Sequence, residues 1–292
     1  MTERLTDIQA RLENIRQLDA VVAAMRGIAA ARVQQSRRQL AGIAAYSATV
    51  SRAISQAVGL MESGARINNP APDAAVTILF GAEQGLAGGY SDRLLDALGN
   101  PTCKSSLMLI GSRSANGARE RGFAPVWTSR MASQIGAVSE VAEHTAEALY
   151  RRLLRGEASR AEVIHARLDD GHKIEIGRFT LFPLDLSQFP ADMPAVAPLT
   201  TLHPLLLLEQ LTAEYVYARL CEAAMQAFAA ENQARMDAMS AASSNVNRMA
   251  EEIVSHERQI RQEEVTAEIV ELAGGVAAVG SADRKTFRQN WR

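Results

Sequence analysis

The stretch LTDIQARLENIRQLDAVVAAMRGI, from Leu5 to Ile28, predicts the architecture of this chain. It contains no proline, and its apolar side chains recur three or four residues apart, which is the period of one helix face. The proline-free stretch continues to Met61, so the sequence predicts one helix of about sixty residues, roughly 90 Å long. A helix with so narrow an apolar stripe needs a second helix beside it. The stripe is expected to contain Leu5, Ile8, Leu12, Ile15, Leu18, Val22, Met25 and Ile28.

A second proline-free stretch, after Pro204, predicts the partner helix. Its apolar residues keep helical spacing as far as Val279. Because the two helices come from opposite ends of the chain, we expect them to pair as an antiparallel coiled coil. The small side chains between Ala224 and Met239 would let the two backbones approach closely.

Between the two helices, short apolar runs bounded by turn residues predict strands. Helical stretches alternate with the first three runs, and this order implies a small parallel sheet. The last two runs flank Asp169, Asp170 and Gly171, which predict a hairpin turn. We expect strands near 74–81, 106–112, 124–129, 162–168 and 172–182, and helices near 91–98, 114–121 and 133–154.

The fold class predicted from these patterns is mixed α/β with α+β character, a long antiparallel coiled coil with an inserted Rossmann-like α/β module. The predicted parts are an N-terminal coiled-coil helix (1–62), a central α/β module (73–200), a C-terminal coiled-coil helix (204–279) and a basic tail (280–292).

Composition excludes several classes of protein. A formal net charge of −2 gives no reason to expect a nucleic acid partner. Cys103 and Cys221 lie far apart without CxxC spacing, which fits a reducing compartment and argues against a zinc cluster. The longest leucine run, Leu205–Leu208, is far shorter than the ~20 apolar residues of a membrane span. We therefore expect membrane contact only through partner proteins.

The glycine cluster GAEQGLAGG, Gly81–Gly89, follows the first predicted strand, where an α/β module binds phosphate. Its spacing matches neither a dinucleotide fingerprint nor a P-loop. A tight turn, a partner contact and a nucleotide site all remain open for this loop. No histidine pair has metal-ligand spacing and no serine or cysteine sits in a nucleophile elbow, so we expect no catalytic residue, metal or cofactor.

Charge along the first predicted helix is one-signed. Between Asp19 and Glu62 there is no acidic residue, whereas five arginines are present: Arg26, Arg32, Arg37, Arg38 and Arg52. Such a stretch indicates an acidic partner surface. The second helix is rich in glutamate near its end, so complementarity between the two helices is an alternative.

Four segments together resemble the gamma subunit of F-type ATP synthases, over nearly the whole chain. They are AMRGIAAARV (Ala24–Val33), EQGLAGGY (Glu83–Tyr90), ARMDAMSAASSN (Ala234–Asn245) and IRQEEVTAEIVELAGGVAAV (Ile260–Val279). Arginines in place of the family's lysines, Ala87 in place of its cysteine and the added tail suggest a divergent bacterial branch. Whether protons or sodium ions are transported stays open.

The resemblance implies a non-catalytic rotor subunit of the central stalk. It would couple ion flow through the membrane ring to conformational change at the catalytic beta subunits. Its expected partners are the alpha and beta subunits, the epsilon subunit and the membrane ring of c subunits. Its expected place is peripheral, on the cytoplasmic side of the bacterial plasma membrane. The alternatives are a nucleotide-binding α/β enzyme and a free-standing coiled-coil scaffold.

Carried over to matching positions, the resemblance also implies two sets of partner-binding residues. Those expected to face the ring of alpha and beta subunits are Met25, Arg26, Arg32, Arg261, Gln262, Thr266 and Glu268. Those expected in the foot, near epsilon and the membrane ring, are Gly85, Leu86, Gly88 and Gly89.

Overall fold

The computed structural model describes residues 5–61, 74–99, 106–169, 171, 173–191 and 199–289 of the 292-residue chain, with the backbone alone for residues 5, 6 and 274–289. Cys103, Asp170 and His172 lie outside the described residues. The chain divides into two compact units. We call residues 25–239 the main unit, and residues 1–24 with 240–292 the terminal unit.

Two long helices begin and end the described chain, as the sequence predicts. Helix α1 runs from Leu5 to Gly59, and helix α5 runs from Pro204 to Gln289. Helix α5 therefore continues past Val279, into the segment that the sequence pattern separates as a tail.

A five-stranded sheet forms the centre of the main unit, with strand order β3-β2-β1-β4-β5. The β1–β2, β1–β4 and β2–β3 pairs are parallel, and the β4–β5 pair is antiparallel. The predicted parallel sheet and closing hairpin are thus confirmed. The strands are β1 Ala75–Phe80, β2 Ser106–Ile110, β3 Trp127–Ser129, β4 Arg160–Leu168 and β5 Ile174–Phe182; the short helices are α2 Tyr90–Asp96, α3 Ser112–Glu120 and α4 Val138–Leu154.

Both faces of the sheet are covered, which explains why β1 reads as an almost unbroken apolar run. One face, including Ile78 and Phe80, packs with apolar side chains of α4 and α5. The other, including Leu79, packs with α2, α3 and the α5 residues Ala230 and Ala234.

Helix α5 is the central packing element of the main unit. From Ala223 to Arg235 every residue except Gln226 is buried. So many small alanine side chains let neighbouring backbones approach the helix from several sides, because little volume has to be accommodated.

Helix α1 lies antiparallel to α5 within the main unit. The Tyr46 hydroxyl donates a hydrogen bond to Glu214, while Val50 and Ile54, further along α1, pack near Leu208, earlier in α5. The hydrogen bond to Glu214 and burial raise the pKa of Tyr46 to about 12.

In the terminal unit the apolar seam differs from the predicted stripe. Ile8, Leu12 and Val22 are buried, but Leu18 is 50% exposed. The seam passes instead through the neighbouring Asp19, whose carboxylate accepts a hydrogen bond from the Ser243 hydroxyl at 3.1 Å. A polar residue at the seam is tolerated because it has this partner.

Ile28, in the main unit, also departs from the prediction. It is 55% exposed, and the adjacent Ala29 is buried. Apolar residues at neighbouring positions let the spacing fit two registers, and packing chooses the smaller side chain.

None of the helices in the described part of the chain has the length of apolar sequence that a bilayer crossing needs.

Candidate functional site

The glycine-rich loop Gly81–Gly89 leaves the carboxyl end of β1 and leads into α2. Leu86 has φ +62°, a left-handed conformation that costs a non-glycine residue free energy, and Gly88 has φ +55°. The Leu86 side chain is nevertheless 59% exposed. The loop therefore holds an apolar side chain in solvent on a strained backbone, and such strain is common at functional sites.

The carboxylate of Glu83 occupies the crevice at the carboxyl ends of the strands. It accepts hydrogen bonds from the backbone N–H of Ser112 at 3.0 Å, the Ser112 hydroxyl at 2.9 Å and the backbone N–H of Met131 at 2.8 Å. Ser112 begins α3, so its N–H is one that would hold a phosphate in a nucleotide-binding module. The chain's own anion takes that place, and this weighs against a nucleotide site here.

A buried ion pair on α5 holds the same loop from the other side. Glu231 and Arg235 form a salt bridge at 2.7 Å, and their side chains are only 4% and 6% exposed. The Glu231 carboxylate also accepts from the backbone N–H of Glu83 at 3.2 Å and of Gln84 at 3.3 Å. Arg235 donates to the carbonyl oxygen of Gly85 at 3.3 Å. We call these contacts the loop anchor.

Sequence reasoning missed the loop anchor, although a signal existed. Glu231 and Arg235 are two opposite charges one helical turn apart in an otherwise alanine-rich stretch. Long-range packing buries both side chains. Tyr90, nearby, is also buried, and this burial raises its pKa well above the usual value. The Tyr90 hydroxyl donates to the carbonyl oxygen of Ala227 on α5 at 3.2 Å.

The predicted foot residues Gly85, Leu86, Gly88 and Gly89 all lie on this loop and are exposed. Beside them is a groove of about 410 Å³ between the loop and helices α2 and α3. Arg121 forms one wall, and it bridges Asp92 and Asp96 at 2.6 Å each. The loop and groove thus form one continuous surface with both apolar and charged parts.

The predicted ring-facing residues of α1 lie in the main unit. Met25 and Arg32 are half-buried, and Arg26 is exposed. Among the described residues of the main unit, none of the five arginines between Arg26 and Arg52 has an ion-pair partner. These five side chains therefore carry positive charge without a carboxylate of the described main unit at ion-pair distance.

The predicted ring-facing residues of α5 lie in the terminal unit, where every residue from Arg261 to Ala273 is exposed. Arg261 donates to Glu257 at 2.9 Å, and the Thr266 hydroxyl donates to the carbonyl oxygen of Gln262 at 2.7 Å. Glu268 is exposed on the same segment.

An apolar face on this segment of α5 was not predicted as a binding feature. Val265, Ile269 and Leu272 are 50%, 60% and 64% exposed. Their spacing of four and three residues places them on one helix face. An apolar face of this kind, left uncovered, indicates contact with another protein.

A buried histidine connects the sheet to α5 inside the main unit. His165 Nε2 lies 2.7 Å from the Gln226 side-chain oxygen, and the Gln226 amide donates to Glu222 at 3.3 Å. Because Gln226 presents its oxygen, Nε2 carries the hydrogen. Burial lowers the pKa of His165 to about 4, so the ring is neutral at pH 7. Within the described residues no three metal-ligating side chains come together.

Comparisons with known proteins agree with this architecture. The family model described as ATP synthase matches residues 4–279. An ATP synthase gamma chain from Leifsonia xyli is 27% identical over 301 residues, covering 97% of this chain and all of that protein.

Two solved structures share the fold. One is the Euglena gracilis mitochondrial ATP synthase (OSCP, F1 and c-ring), with TM-score 0.64, 13% identity and coverage of 96% of this chain and 95% of that one. The other is the Tetrahymena thermophila mitochondrial ATP synthase central stalk and c-ring, with TM-score 0.56, 15% identity and coverage of 76% and 99%.

Proposed function

The chain belongs to the ATP synthase family as one of its gamma chains, a non-catalytic rotor subunit of the central stalk, and we propose how its surfaces divide that work. In this proposal the long helices face the catalytic alpha and beta subunits, and the exposed loop residues Gly85, Leu86, Gly88 and Gly89 face the epsilon subunit and the membrane ring. The chain thereby couples ion flow through the ring to conformational change at the beta subunits.

The exposed segment Arg261–Ala273 of α5 is the single observation that best supports a ring-facing surface. Val265, Ile269 and Leu272 form an uncovered apolar face, and Arg261 and Gln262 lie beside it. An apolar face can rotate inside a ring of alpha and beta subunits, because apolar contacts are not directional. Arg261 and Gln262 add a few polar contacts that can favour particular rotary positions.

The arginines of α1 form the second part of the proposed ring-facing surface, which we call the bearing. Arg26 and Arg32, with Met25 beside them, carry charge that no acidic group of the main unit compensates among the described residues. An acidic surface on a surrounding subunit would complete them.

The foot assignment has its own support. Leu86 keeps an apolar side chain exposed in a strained backbone conformation, flanked by the exposed Gly85, Gly88 and Gly89. No contact among the described residues accounts for the strained backbone of Leu86, whereas contact of its side chain with a partner would account for it.

As part of an ATP synthase the chain is associated with a membrane complex. We further propose a peripheral position on the cytoplasmic side of a bacterial plasma membrane, with membrane contact only through the other subunits. The translocated ion is either a proton or a sodium ion.

The test of the proposed bearing is charge reversal in the complex assembled with alpha, beta and epsilon subunits in membrane vesicles. Arg261→Glu combined with Gln262→Glu should lower ion-driven ATP synthesis several-fold, while circular dichroism of the chain stays unchanged. The matched control is Arg151→Glu, since Arg151 is also an exposed helical arginine paired with a glutamate four residues before it. Synthesis that stays at the wild-type rate in the double variant would contradict the bearing assignment.

A further inference from the structure

Two sets of hydrogen bonds meet at Glu83. Its side-chain carboxylate binds Ser112 and Met131, which follow β2 and β3 of the sheet. Its backbone N–H binds Glu231, and so belongs to the loop anchor on α5. One residue therefore ties the strand ends to the long helix, and every one of these groups lies within the main unit.

Other contacts between α5 and the sheet are mostly apolar. The α5 side chains in the sheet clusters combine small alanines, such as Ala224 and Ala230, with the larger Leu220, Met225 and Phe228. These apolar contacts depend on area and shape and not on bond direction, because the hydrophobic effect has no direction. Hydrogen bonds to charged groups are directional and stronger, so they resist rotation of the helix against the sheet.

We propose that Glu83 is the joint that makes α5 and the sheet turn as one body when torque is applied. This inference rests on the proposed rotor function, and it assigns to Glu83 a positioning role rather than a chemical one. Torque in α5 passes through the Glu231–Arg235 pair to the loop backbone. From there the Glu83 carboxylate passes it to the start of α3 and to Met131, which follows β3.

The anchor geometry suits this role. Arg235 is held by three acceptors, Glu231, Gly85 and Asn232, and the pair is almost completely shielded from water. Charged hydrogen bonds are strengthened in such surroundings because solvent does not compete for them. Gln226 and His165 form a second directional contact between α5 and the sheet, and this contact leaves the loop untouched.

The experiment compares ATP hydrolysis with ATP-driven ion pumping in the same vesicles, using the assembled complex. Glu83→Ala removes all three carboxylate contacts but keeps the backbone N–H that binds Glu231. We expect hydrolysis close to the wild-type rate and a several-fold fall in ions pumped per ATP. Glu83→Gln keeps an acceptor oxygen, so its number of ions pumped per ATP should lie between those of the wild type and Glu83→Ala. Glu140→Ala, at an exposed glutamate of α4, is the matched control and should pump normally.

Ser112→Ala keeps the test decisive if Glu83→Ala does not fold. It removes only the 2.9 Å hydroxyl contact, and pumping per ATP should fall in the same direction by a smaller factor. Normal pumping per ATP in a folded, assembled Glu83→Ala or Ser112→Ala complex would overturn the joint. A parallel loss of hydrolysis and pumping would also overturn it. A wild-type chain that supports no ATP-driven pumping with its partner subunits would instead refute the proposed function.

Discussion

Removing the guanidinium of Arg235 should destabilise the main unit severely. In Arg235→Met the Glu231 carboxylate, 4% exposed, loses its cation at 2.7 Å and remains buried. Breaking one partner of a buried ion pair costs about 3–5 kcal/mol, because the remaining charge is uncompensated. Glu231 still accepts from the backbone N–H groups of Glu83 and Gln84, so we expect the lower end, about 3 kcal/mol.

Urea unfolding of the full chain measures this loss. Trp127 lies in β3 and its fluorescence reports the sheet, while the second tryptophan, Trp291, lies outside the described residues. A Trp291→Phe background therefore makes the signal specific to the main unit. The quantity compared is the free energy of unfolding obtained by linear extrapolation.

Glu147 and Arg151 on α4 provide the matched control. They have the same residue types, order and spacing as Glu231 and Arg235, but their side chains are 56% and 65% exposed and 3.4 Å apart. Arg151→Met should cost less than about 0.5 kcal/mol. If Arg235→Met costs no more than Arg151→Met, burial of the pair does not make its disruption more costly.

A double variant separates lost charge pairing from lost packing. Glu231→Gln with Arg235→Met removes both charges and keeps an amide oxygen for one of the two loop N–H groups. It should recover most of the stability lost in Arg235→Met, since a buried pair can be replaced by neutral groups at little cost. A double variant less stable than Arg235→Met would show that the carboxylate charge itself stabilises the loop.

Three further outcomes are expected. Leu86→Gly should raise the free energy of unfolding by up to about 1 kcal/mol, because glycine adopts φ +62° without strain, and should weaken assembly at the foot; an unchanged or lower value in urea unfolding would contradict the strain argument. Because of His165, the free energy of unfolding should fall as the pH is lowered. The pKa of His165 is about 4 in the folded chain and 6.5 in the unfolded chain. Its contribution is therefore complete above pH 6.5 and is lost towards pH 4, by about 3 kcal/mol. In His165→Gln the urea unfolding midpoint should change less with pH over that range. A pH dependence equal to that of the wild type would assign the effect to another group. Deleting residues 280–292, which lie beyond the family match, should leave assembly with partner subunits and the urea midpoint unchanged, and failed assembly would show that the tail has a role.

The apolar seam of the terminal unit shows where helical periodicity stops deciding which residue is buried. Leu18 and Asp19 are adjacent, and the spacing of the surrounding residues allows either to lie at the seam. Packing selects Asp19 because Ser243 supplies a hydrogen bond, and Leu18 is left half-exposed. A sequence pattern fixes the helix but leaves such a one-residue choice to the partner helix.

The sequence by itself determined the two long helices, the alternating strands and helices between them, and the closing hairpin. These features follow from local spacing of apolar residues, proline positions and turn residues, which act over a few residues at a time. It also identified the family through segments near both chain ends, because those segments are contiguous in the chain.

Only the tertiary structure decided what holds the glycine-rich loop in place. The sequence left a nucleotide site, a partner contact and a tight turn open for it. The fold brings Glu231 to the backbone of Glu83, 148 residues away along the chain, and brings Ser112 and Met131 to its carboxylate. Such long-range hydrogen bonds leave no periodic trace in the sequence, because they depend on how elements pack rather than on how residues are spaced. The loop is thus anchored to α5, and the crevice beside it is filled by the chain's own carboxylate.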